Sequence, residues 1–119
     1  MAKARIDVSR EDQVTVIELL DQKIGDDNVK EVTKELFSAV EKNVPKQLLL
    51  CFSQVKHFNS RLLGTLIRLN KRMAEKGGVL KLCCIKPALY EMFVISQVNR
   101  IFDVYEDREQ ALSSFLKGG

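Results

Sequence analysis

The chain has 119 residues, 45% hydrophobic and 29% charged, which suits one ordinary globular domain and excludes a disordered or fibrous chain. Lys and Arg number 19 against 16 Asp and Glu, and the resulting charge of +3 is too mild for a dedicated nucleic-acid binder. One His and no Cys/His ligand spacing close off most hydrolytic and metal chemistry, so composition points to a module that binds rather than catalyses, with no catalytic residues, cofactor or metal expected.

Ala4, Ile6 and Val8 alternate with polar residues, as do Val14 and Val16, around the polar break Ser9–Gln13. This pattern predicts two strands joined as an antiparallel pair. Lys23–Asp27 reads as a loop. From Asn28 the period becomes helical, with Val29, Val32, Leu36, Phe37 and Val40 on one face. Asn28 and Glu31 have the spacing of a capping box, and the stretch Asn43–Lys46, with Pro45, ends the helix.

Leu48–Phe52 is continuously apolar, as expected of a central parallel strand covered on both faces. The polar segment Ser53–Asn59 reads as a loop. Leu62, Leu63, Leu66, Ile67, Leu69, Met73 and Ala74 then trace a second amphipathic helix that Gly77-Gly78 terminates. Val79–Ile85, interrupted by Lys81, is a further buried strand. Pro87 starts a short helix carrying Leu89, Met92 and Phe93; Ile101, Val104 and Tyr105 mark a last strand, and Asp107–Leu116 a last helix. The order β-β-α-β-α-β-α-β-α predicts an α/β domain with a mostly parallel sheet, an N-terminal antiparallel strand and four helices.

Met1–Asp12 carries no apolar core segment of a leader, and no apolar run approaches the roughly 20 residues of a membrane span. Cys51, Cys83 and Cys84, an odd set with two adjacent, make a poor disulfide framework. They read as buried reduced thiols of a cytoplasmic protein.

Enzyme motifs are missing: no G-x-G-x-x-G or P-loop follows a strand, and no G-x-S-x-G elbow occurs. Cys51 and His57 form a conceivable nucleophile and base, but no third orienting group accompanies them. Arg61, Arg68 and Arg72 fall on one stripe of the second helix, with Lys71 and Lys76 beside it. That stripe is either a solvated face or a docking surface for an acidic protein; without interleaved aromatics it does not favour nucleic acid. The segment His57–Gly64 joins the carboxyl end of a buried strand to a helix, where open α/β sheets place their binding sites. Asn59 or Ser60 caps that helix, and a phosphate on Ser60 would meet the positive helix end and Arg61.

Strand, Asn59-Ser60-x-x-Leu63-Gly64, amphipathic helix, Gly77-Gly78, buried strand and Lys86-Pro87 together resemble the STAS domain, whose prototypes are bacterial anti-sigma factor antagonists. The likeness runs over nearly the whole chain, including Ile101–Tyr105 and Glu109–Leu112. The family's loop typically reads Asp-Ser-Ser/Thr-Gly-Leu-Gly, with its first serine phosphorylated by a partner kinase. Ser60 falls on that serine, and Leu63 and Gly64 on the closing pair. Asn59 stands at the usual Asp, Arg61 at the second hydroxyl, Leu62 at the first loop glycine and Cys51 at a common acidic position. Ile24-Gly25 matches a usual Leu-Asp, displacing Asp26 by one.

The resemblance implies a single STAS-like domain over residues 1–119 that works by partner switching. Its partner would be an anti-sigma factor with a kinase fold, and Ser60 the phosphorylation site. Partner contacts are expected at Gly25, Asp26, His57, Phe58, Asn59, Arg61, Leu63, Gly64, Arg68 and Arg72. Two alternatives stay open: a STAS interaction subunit that is not phosphorylated, and a small-ligand or nucleotide sensor.

Overall fold

Side-chain alternation along the central strands sets the layers of the fold. The structure, a computed structural model, describes residues 4–117. Its elements are β1 (Ile6–Glu11), β2 (Val14–Leu19), β3 (Lys23–Ile24), α1 (Val29–Asn43), β4 (Gln47–Cys51), β5 (His57–Phe58) and α2 (Ser60–Glu75). Then follow β6 (Val79–Cys83), α3 (Pro87–Ile95), a 3-10 turn at Val98–Arg100, β7 (Asp103–Tyr105) and α4 (Arg108–Lys117). Five strands form one sheet in the order β1-β2-β4-β6-β7; β1 is antiparallel to β2 and the other pairs are parallel. The expected mostly parallel sheet, antiparallel N-terminal strand and four helices are therefore present.

Leu48 and Leu50 of β4, Leu80 and Leu82 of β6, and Ile17 and Leu19 of β2 share one face, covered by Leu36 of α1, Leu66 and Leu69 of α2, and Phe93 of α3. Val14, Val16, Leu49, Cys51 and Cys83 point the other way, under Ala111 and Phe115 of α4. Because β4 is covered on both faces, every residue from Leu48 to Cys51 is buried. Each such leucine contributes roughly 1.5–3 kcal/mol of burial. The α4 face also holds buried Lys81, whose Nζ donates to Ser114 Oγ at 2.9 Å and lies 4.6 Å from the Phe115 ring centroid. The hydroxyl and the ring offset the desolvation of that ammonium.

Several local expectations need correction. Lys23–Asp27 and Ser53–Asn59 each contain a two-residue strand, and Lys23↔His57 and Ile24↔Phe58 pair in parallel as a separate small sheet. Asn28 makes no side-chain cap to α1. Its Oδ1 instead accepts from the Gly25 N–H at 2.9 Å, and its Nδ2 donates to the Lys23 carbonyl at 2.8 Å. Glu31 of the supposed capping box pairs with Arg5 at 2.8 Å. β4 stops one residue before Phe52, and β6 stops at Cys83 because Cys84 adopts φ 66°. Cys84 is half-buried, unlike Cys51 and Cys83. Ile101 lies in a turn before β7. Of the segment Met1–Asp12, residues 1–3 lie outside the described residues.

The end of α2 follows the glycine pair closely. Gly77 takes φ 77°, its N–H donates to Ala74 O at 3.0 Å, and the Gly78 N–H donates to Met73 O at 2.8 Å. This doubly bonded left-handed turn satisfies carbonyls that the helix end leaves open. Helix α1 ends less comfortably, with the β-branched Val44 at φ 41° and ψ 54°.

Candidate functional site

The small β3–β5 sheet positions the site. It brings the turn Gly25–Asn28, which leads into α1, against the turn that leads into α2, and the Asn59 N–H donates to Ile24 O at 3.1 Å. Beneath it Phe58 is buried, edge-on to Phe93 at 5.8 Å and to Phe52 at 6.4 Å. Such edge-to-face pairs add roughly 0.5–1.5 kcal/mol beyond their buried area. The turn is thus anchored to the core one residue before its polar tip.

Asn59 is the N-cap of α2. Its Oδ1 accepts the Arg61 backbone N–H at 3.1 Å, and its Nδ2 donates to Asp26 Oδ1 at 2.9 Å. The Arg61 guanidinium reaches the same carboxylate oxygen at 3.4 Å. A carboxylate therefore stands beside this turn although position 59 is an amide; the neighbouring turn supplies it. Ser60, the first residue of α2, is exposed. No acidic residue occupies the first turn of α2, so the positive end of the helix is not neutralised from within it. The site places an exposed hydroxyl at the positive end of α2 beside the Arg61 guanidinium, which is itself paired with Asp26.

Between α1 and α2 runs a cleft of about 400 Å³ lined by Val29, Lys30, Thr33, Arg61, Gly64, Thr65 and Arg68. The Thr33 and Thr65 hydroxyls bond each other at 2.8 Å across its floor. A Cβ built on Gly64 meets nothing within 4 Å. Helix packing thus does not explain this glycine, which costs about 1 kcal/mol against Ala in a helix interior. Its absent side chain leaves the cleft open beside Arg61 and Arg68.

The expected contact residues separate into three groups. Gly25, Asp26, His57, Asn59, Ser60, Arg61, Gly64 and Arg68 lie at the two turns or along the cleft. Phe58 and Leu63 are core residues and act on any docking face only by supporting it. Arg72 is turned toward α1, where Nε meets Glu41 Oε1 at 2.6 Å, and a second nitrogen meets Glu75 of its own helix at 3.3 Å. The Arg72 and Lys76 contacts hold the Glu41 carboxyl down to about 2. The basic stripe is therefore interrupted, and Arg72 serves as a clamp between helices. Cys51 lies under α4 while His57 is exposed on β5, so the conceivable nucleophile and base are not assembled.

Lys30 and Thr65 of the cleft carry no sequence signal beyond their helix positions. Asn28, which locks the Gly25 turn, had one: an Asn three residues after Gly in a polar turn is the pattern of local side-chain to backbone bonding.

A family model described as the STAS domain matches residues 5–111. The candidate anti-sigma factor antagonist BtrV of Bordetella bronchiseptica is 30% identical over 88 residues, 74% of this chain and 75% of that protein. The solved structure of an anti-sigma factor antagonist (STAS) domain protein from Planctomyces limnophilus matches with TM-score 0.87 and 26% identity, over 96% of this chain and 100% of that one. The Bacillus cell-fate determinant SpoIIAA, solved in its phosphorylated form, shares the fold at TM-score 0.67 and 13% identity, over 92% of this chain and 98% of that one. Among the described residues, no helix is long and apolar enough to cross a membrane.

Proposed function

This chain belongs to the STAS domain family, and on that premise we propose that it is an anti-sigma factor antagonist, a single non-enzymatic domain switched by phosphorylation of Ser60. Exposed Ser60 at the first position of α2, beside Arg61 and with no acid in that first turn, is the observation that carries this reading. The names of the Bordetella and Planctomyces relatives support it.

In the unmodified state the Asn59–Arg61 turn and the Gly64–Arg68 side of α2 dock on an anti-sigma factor with a kinase fold in the cytoplasm. The sigma factor is thereby released. The partner then transfers the γ-phosphoryl of ATP to Ser60 Oγ, leaving ADP and a proton. This chain contributes only the hydroxyl and its placement. A phosphoserine carries about −1.5 to −2 charges. In the free protein the α2 N-terminus and Arg61 accommodate them. In the complex the charge is desolvated, at a cost of several kcal/mol where no partner group pairs with it. At ~1.4 kcal/mol per tenfold, that is sufficient to separate the proteins.

The test compares Ser60→Ala and Ser60→Asp for affinity toward the host's anti-sigma factor by titration calorimetry. Ser60→Ala is expected to bind like the native protein, and Ser60→Asp at least about tenfold more weakly. Equal affinity of Ser60→Asp and native protein would instead favour a constitutive interaction subunit.

A further inference from the structure

Three sulfurs lie in a row on the α4 side of the sheet. Cys51 and Cys83 are directly opposed on β4 and β6, with their sulfurs 3.3 Å apart. Cys84 Sγ donates to Cys83 Sγ, also at 3.3 Å. Consecutive strand residues normally point to opposite faces. The φ of 66° at Cys84 breaks that alternation, and Cys84 packs on the same cluster as Cys51 and Cys83. Exposure is graded along the row: Cys84 is half-buried, whereas Cys83 and Cys51 are 0% and 1% exposed.

The Arg108 guanidinium, also 3.7 Å from Glu11, lies against the inner thiol Cys51. Donation from Cys83, aided by Arg108, lowers the Cys51 thiol despite burial. The same contact and burial push Cys83 up. Burial pushes the outer Cys84 thiol up as well, so the thiolate that meets an oxidant there is a minor form at neutral pH whose share grows as pH rises.

We propose that these three cysteines form a peroxide-sensitive modification site in which Cys84 is oxidised first and the disulfide comes to rest between Cys51 and Cys83. Cys84 thiolate attacks a hydroperoxide; the O–O bond breaks, and with a proton from solvent the products are Cys84 sulfenic acid and water (or an alcohol). The Cys83 thiol attacks that sulfur, forming the Cys83–Cys84 disulfide and releasing a second water. Cys51 thiolate then attacks Cys83 Sγ, forming Cys51–Cys83 and expelling Cys84 thiolate. Two thiols lose two electrons in all, and the peroxide gains them.

Distance along the chain decides the resting pair. Adjacent residues have Cα atoms about 3.8 Å apart, short of the usual disulfide range of roughly 4.4–6.8 Å, so Cys83–Cys84 is strained. Opposed residues on neighbouring strands lie at about 4.8 Å and fall within it.

The reduced full chain is treated with a few equivalents of hydrogen peroxide and followed by intact mass, peptide mapping and thermal melting. The mass is expected to fall by about 2 Da, with Cys51 joined to Cys83 and dithiothreitol reversing the change. The melting midpoint is expected to rise by roughly 5–15 °C. In Cys84→Ser the peroxide reaction slows at least about tenfold, while diamide, which needs no sulfenic acid, still forms the same crosslink. Oxygen gained at Cys84 without a crosslink, a disulfide between two molecules, a final Cys83–Cys84 bond, or native peroxide rates in Cys84→Ser would each overturn the proposal.

Discussion

Asp26 and Asn59 hold two separate turns as one unit: Asp26 Oδ1 accepts from Asn59 Nδ2 at 2.9 Å, while Asn59 Oδ1 caps α2 through the Arg61 N–H at 3.1 Å. The cap oxygen therefore has its orientation set from outside its own helix. Asp26 is largely exposed, and exposed pairs contribute about 0–1 kcal/mol. Asp26→Ala is accordingly expected to change the urea midpoint little and to weaken binding to the anti-sigma factor several-fold, because Asn59 and Arg61 lose their common anchor. Parallel denaturation and affinity measurements check both halves.

Gly64 gives a prediction of opposite signs. Space for a Cβ is open, so Gly64→Ala is expected to stabilise the fold by about 0.5–1 kcal/mol through helix propensity. The added methyl enters the mouth of the cleft and weakens partner binding. Equal or tighter binding by a stabilised Gly64→Ala protein would exclude the cleft from the docking face.

How these residues divide shows what a sequence carries. The apolar runs Leu48–Phe52 and Val79–Ile85 mark central strands because coverage on both faces removes polar alternation, although the strands themselves end at Cys51 and Cys83. The Gly77-Gly78 terminus was legible because its left-handed turn requires glycine at Gly77. Lys23–Ile24 and His57–Phe58 look like loop in sequence, since two residues are too few to show any period. Arg72 shared a stripe with Arg61 and Arg68, yet its direction is set by Glu41, 31 positions away on another helix. For the same reason Asp26 could be marked as a contact residue while its bond to Asn59 could not. Side-chain pairing across turns is a tertiary fact, and local pattern does not encode it.

Val44 closes α1 in the left-handed region, where an L residue costs about 1–2 kcal/mol. It is 54% exposed, so little burial is lost on replacement. Val44→Gly is expected to raise stability by about 0.5–1 kcal/mol after the greater freedom of unfolded glycine is counted. Chemical denaturation reads the shift directly, and a destabilised variant would contradict the assignment of strain.

Glu41 predicts an acid limb. Its folded-state value of about 2 lies below the ordinary 4.5, owing to Arg72 first and Lys76 second. A depressed carboxyl binds fewer protons folded than unfolded, so its contribution is complete above pH 4.5 and disappears as pH falls from 4.5 toward 2. The gap in melting temperature between native protein and Glu41→Gln should therefore narrow over that window. Added salt should shrink it at neutral pH, since the pairs are exposed.

Phosphate mapping decides whether Ser60 is the switch. The protein is incubated with the host's anti-sigma factor kinase and ATP, mapped by mass spectrometry, and passed with its partner over a sizing column. One phosphate, on Ser60, and loss of co-elution as it accumulates are expected. No phosphate on Ser60, or a phosphorylated protein that still elutes with its partner, would contradict it.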